Sequence, residues 1–243
     1  MENKSENSLT NLSQDAITLT IKDKAKLKQQ VFKNTLETFE LLKKVLASTA
    51  ATYNKELMND FSYDIMAYKD ISDFQAELKV AGDVLIFKMH TNVFDFDREH
   101  SVRNTSYVKS DKTNSYSGII NIYNFLADSF KYNREQDLGY LVGRIFINKD
   151  KHYFVEGKRQ MGFLYSSFGT DVINDKSLTT ILRTCILYSL GFDLLVPAYE
   201  DSMVVNVEQI QESRTNQMKT GKRLGFGFRA DDVSGEKAVY TGG

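Results

Sequence analysis

The chain has 243 residues, 42% hydrophobic and 26% charged, enough for one folded domain with a sizeable core. Its formal charge of -1 gives no global attraction for nucleic acid, so contact with a polyanion requires a local basic patch. One cysteine excludes an internal disulfide framework and fits a reducing cytoplasm, and one proline excludes proline-rich spacers.

Residues 1–15 are rich in Asn, Ser and Glu, without the apolar run of a signal peptide, and are expected to form a disordered tail. Asp23 can cap a long helix over residues 23–57. Leu27, Val31, Phe32, Leu36, Phe39, Leu42, Leu46, Tyr53 and Leu57 recur along it at three- and four-residue steps. Lys24, Lys26, Lys28, Lys33, Lys43 and Lys44 are expected on the opposite face. At 1.5 Å per residue the helix is about 50 Å long, longer than most sheets are wide. Part of its stripe is therefore expected to meet a protein partner or a second copy of the chain, with Leu46 as the position to test.

Residues 74–80 alternate apolar and polar, as a half-buried strand does, and residues 84–89 return after Ala81-Gly82-Asp83 as a second strand. If residues 93–100 are extended, Asp95, Asp97 and Glu99 share one side near His100. A charged edge strand without metal is the favoured reading, and a divalent-cation site built on those three acids is the alternative. Residues 101–117 hold few aliphatic side chains and read as a long recognition loop.

Residues 118–125 are a further strand, and residues 138–157 form a hairpin around Asn148-Lys149-Asp150-Lys151. Residues 177–195 have the apolar density of a buried helix, with Cys185 as a small core residue and Pro197 preventing continuation. Residues 203–207 and 224–228 read as short strands, and residues 231–243 as a frayed tail. Hairpin-linked strands between helices define one α+β domain over residues 16–230, on a mainly antiparallel sheet.

Asp137 before the hairpin and Glu156-Gly157-Lys158 at its end resemble the pattern of the PD-(D/E)xK nuclease superfamily. The resemblance covers about 22 residues. It implies a Mg²⁺-dependent nuclease in which Asp137 and Glu156 hold the metal and Lys158 positions the attacking water. No proline precedes Asp137, and a tight turn pairs Glu156 nearer Gly143 than Asp137. Lys158, Arg159, Lys222 and Arg223 form basic clusters near glycine and aromatic residues. With Tyr107 and Tyr116 from the long loop they suit an anionic ligand or nucleic acid, cations holding phosphate and rings providing contact area. Walker, Rossmann, zinc-ligand and nucleophile-elbow patterns are missing. The leading expectation is a non-catalytic cytoplasmic binding protein without a cofactor; the Mg²⁺ nuclease is the alternative.

Overall fold

A computed structural model describes residues 14–157 and 168–192, together with Val196, Tyr199, residues 203–205 and Val207. Helix α1, Gln14–Glu56, opens the fold. Six strands follow: β1 Met66–Ser72, β2 Gln75–Val80, β3 Asp83–Met89, β4 Ser117–Leu126, β5 Tyr140–Asn148 and β6 Tyr153–Gly157. They lie side by side in chain order, each antiparallel to its neighbours, so the expected α+β fold on an antiparallel sheet is what forms. Short helices α2, Ser106–Ser110, and α3, Ala127–Lys131, lie in the connections on either side of β4. Helix α4, Asp175–Leu190, begins with a capping box in which Asn174 and Ser177 satisfy each other's backbone N–H groups.

Strand alternation gives the sheet two unlike faces. One carries Ala76, Leu78, Leu85, Phe87, Met89, Ile120, Ile122, Ile145, Ile147 and Val155. It packs against Phe39, Leu42, Val45 and Leu46 of α1 and against Leu178, Ile181, Leu182, Cys185 and Ile186 of α4. Gly118 permits close contact: a Cβ there would lie 2.8 Å from the Thr35 Cβ of α1. Burial pushes the Cys185 thiol up to about 12, which suits the core role its sequence setting indicates.

The described residues cover the other face only in part. Val102, Val108 and Phe168 form a smaller cluster with Phe96, Tyr107 and Phe154 over its β5–β6 end. Beyond that cap runs a cross-strand row, Gln75, Lys88, Asn121, Arg144 and Glu156. One face is thus mainly hydrocarbon, with Asn124 buried on it and donating to the Tyr140 hydroxyl at 2.7 Å, and the other mixes apolar and polar side chains.

Several expectations change. Helix α1 starts before Asp23, which lies inside it and is no cap. Residues 16–26 are exposed, so no burial periodicity marks that stretch in the sequence. Leu46 is fully buried against this chain's own sheet and offers nothing to a partner. Lys43 is 6% exposed rather than solvated, held by Asp70 of β1 at 3.0 Å and Glu40 at 3.1 Å. Burial works to lower its pKa, but hydrogen bonds to the two acids outweigh that and raise it.

Residues 101–117 are not an open loop. Two 3-10 turns, Ser101–Asn104 and Lys112–Ser115, flank α2, and the short helix starts are capped by His100, Thr105 and Asp111. Those capping side chains let a segment poor in aliphatics fold tightly. Strand β1 carries little apolar alternation and is specified by pairing with β2. Met203, Val204 and Val205, expected within a strand, are exposed and outside the sheet. The strand expected over 224–228 lies outside the described residues.

Candidate functional site

The β5–β6 hairpin folds as expected, and its tip is tied down on both sides. Lys151 takes a left-handed backbone angle, φ 59, to close the turn. Asn148 organises it: its side-chain oxygen accepts the Asp150 and His152 backbone N–H groups, both at 2.9 Å. Its amide donates to the Tyr107 hydroxyl at 2.9 Å and the Asn114 carbonyl at 3.4 Å. From α1, Asn34 donates to the Asn148 and Lys149 carbonyls at 3.1 and 2.6 Å. Lys149 reaches Asp111 at 2.5 Å and Thr113 at 2.6 Å. Hydrogen bonds from Lys149 and Thr113 hold the Asp111 carboxyl down at about 2.

Tyr107 belongs to this clamp. Its hydroxyl donates to Asp150 at 2.6 Å, and its ring packs against His152 at 4.9 Å and Phe168 at 5.7 Å. Burial, with that bond to Asp150, pushes the phenol well above the usual tyrosine range. A ring already packed against two others is a poor stacking platform for a ligand. Tyr116 is half-buried, between the Lys112–Ser115 turn and β4. Lys158, Arg159, Lys222 and Arg223 lie outside the described residues, so of the expected anionic-ligand residues only the two tyrosines are placed.

The hairpin does not bring Asp137 and Glu156 together. Glu156 sits opposite Arg144, whose Nε donates to it at 2.7 Å and whose Nη2 makes a second bond. Arg144 is itself four residues, about 13 Å of strand, from the start of β5, and Asp137 precedes that start. The Asp137 carboxyl is 3% exposed and paired with Arg134 at 2.9 Å, with the Ser129 hydroxyl donating at 2.6 Å. Each acid is thus committed to a different arginine.

Asp95, Asp97 and Glu99 also part company, because the chain turns after the bridge at Phe94 instead of continuing as a strand. Asp95 pairs with Arg103 at 2.7 Å and accepts the Ser115 hydroxyl at 2.6 Å. Asp97 accepts the Glu99 backbone N–H at 3.0 Å. No group of three His, Cys, Asp or Glu side chains among the described residues could hold a metal ion.

Among the described residues, a run of exposed lysines lies on α1. Its first roughly 17 residues, about 25 Å of helix, precede Val31, the first fully buried position. Lys22, Lys24, Lys26 and Lys28 are all exposed there, and none pairs with a carboxylate among the described residues. Ile17, Leu19 and Ile21 are 48%, 62% and 61% exposed on the same segment. Starting the helix at Asp23 leaves out Lys22; lysine at every second position from 22 to 28 was the available signal.

No protein family, curated protein or solved structure matches the chain. Among the described residues, no helix is long and apolar enough to cross a membrane.

Proposed function

We propose that the protein is a non-catalytic binding module that holds nucleic acid through the free first half of α1. One observation carries this reading: four exposed lysines within seven residues, none paired with a carboxylate among the described residues, on a helix extending past its own core. Solvent-facing lysines on a folded surface are commonly balanced by nearby carboxylates, as Lys33 is by Glu37 and Lys149 by Asp111. Unbalanced cations in a row concentrate positive potential and favour release of counterions from a phosphate backbone. The basic-aromatic clusters at Lys158, Arg159, Lys222 and Arg223 would add to the same attraction.

The test is fluorescence anisotropy with a labelled oligonucleotide at low salt. Replacing Lys22, Lys24, Lys26 and Lys28 by glutamine should weaken binding at least about tenfold. Replacing exposed Lys69 and Lys79 of the sheet should change it little. Equal affinity in the parent and the fourfold variant rejects the reading.

A second reading, self-association through α1, draws on the exposed Ile17, Leu19 and Ile21. Three large apolar side chains on a projecting helix are a natural contact for a second copy. Light scattering decides it: Ile17→Glu with Ile21→Glu should convert a dimer to a monomer, and a parent already monomeric ends the idea.

A further inference from the structure

We infer that the ligand of the α1 arm is duplex nucleic acid, gripped by both flanks of the helix within a major groove. This rests on the polyanion reading above and adds the geometry of the partner. At 3.6 residues per turn, positions two apart lie about 200° apart around the helix, and positions four apart lie on one side. Lys22 and Lys26 therefore line one flank, and Lys24 and Lys28 line the other.

A single strand lying along the arm would meet one flank and leave the opposite lysines in water. A flat anionic surface would do the same. Two charged flanks suit a slot with phosphates on both walls. The B-form major groove, about 12 Å wide, admits a helix of about 10–12 Å diameter and places a phosphate backbone on either side.

The shorter arc between the flanks carries Thr18, Ile21, Ala25 and Gln29; Asp23, the one acid among the lysines, lies on the longer arc with Leu19 and Leu27. Seating the shorter arc towards the groove floor keeps Asp23 away from phosphate. It also offers the bases a small residue, an apolar methyl-bearing residue and a glutamine amide, types that fit base edges. Thr18, Ile21, Ala25 and Gln29 are exposed, as are Leu19 and Asp23.

The experiment compares a labelled mixed-sequence duplex of about two helical turns with each of its single strands, across a salt series, using the full chain. The duplex should bind more tightly, with a slope of log affinity against log salt near −3.6 if four phosphates are neutralised. Lys22→Gln with Lys26→Gln, and separately Lys24→Gln with Lys28→Gln, should each reduce that slope by about 1.8. Ala25→Glu should weaken duplex binding at least about tenfold more than Leu19→Glu, which adds the same charge on the other side. Circular dichroism of all variants should match the parent, showing that the arm stays helical. Single strands bound as tightly as the duplex, dependence on only one flank, or equal effects of the two glutamates would overturn the inference while leaving the polyanion reading intact. Absence of binding to every oligonucleotide would instead remove that reading, and this inference with it.

Discussion

Asp137 and Glu156 have the same ionisable group, yet their surroundings give them different work. The Asp137–Arg134 pair is almost wholly buried, at 3% and 6% exposure, whereas Glu156 and Arg144 are 45% and 39% exposed. Removing one partner of a buried pair strands the other charge in a poor solvent; removing one partner of an exposed pair costs little because water replaces it. Asp137→Ala should therefore lower unfolding free energy by about 3 kcal/mol in urea titrations, and Glu156→Ala by less than about 1 kcal/mol. Similar small losses for both would show that Asp137 is not structural. Asp111 gives a pH signature. A carboxyl lowered to about 2 by Lys149 and Thr113 contributes stability above the unfolded aspartate pKa of about 3.9 and loses it as pH falls through the folded value. The gap in stability between the parent and Asp111→Asn should thus be small but measurable at pH 7 and close between about pH 4 and pH 2. A gap that widens on acidification contradicts the assigned pair.

At the scale of elements, contact between α1 and β4 depends on a missing side chain. Thr35 is fully buried over Gly118, and its hydroxyl donates to the Val31 carbonyl at 2.7 Å. A methyl at Gly118 would push the helix off the sheet or displace Thr35, so Gly118→Ala should destabilise by about 1–3 kcal/mol. Gly82→Ala is the matched control, since its added carbon meets nothing within 4 Å. Equal midpoints for the two variants in denaturant would mean that the helix has room to move. Elsewhere α1 is held by polar side chains: Asn54 donates to the Met66 carbonyl at 2.7 Å and accepts its N–H at 2.9 Å. Asn34 and Glu37 reach the hairpin tip at the other end of the packed segment. Helix and hairpin therefore fix each other's register.

For the molecule as a whole, α1 divides into a packed half that belongs to the core and a free half that does not. Starting a helix is unfavourable and most helical stability in proteins comes from tertiary packing, so the free half draws its order from continuity with the packed one. A chain shortened to begin at Lys24 should keep the parent's unfolding midpoint within a few degrees, because the side chains of residues 16–23 are exposed and outside the core. A large fall in midpoint on scanning calorimetry would show that the arm supports the fold directly. The separation also makes the binding proposals accessible, since charge reversal on the arm need not disturb the sheet.

The hydrophobic pattern by itself determined the long helix, the hairpins of β2–β3 and β5–β6, strand β4 and the burial of Cys185. Periodicities of two and 3.6 residues report which side chains share a face, and that information is local. It could not assign partners. Whether Asp137 meets Glu156 or Arg134, whether Tyr107 faces solvent or Asp150, and whether Asp95 joins a metal cluster or Arg103 all depend on residues brought together by folding. The same holds for α1, where lysine at every second position was visible in the sequence, while the absence of a covering sheet along its first half was not. Only the tertiary arrangement decided which charges of the described residues are paired within the chain and which stay exposed without a carboxylate partner.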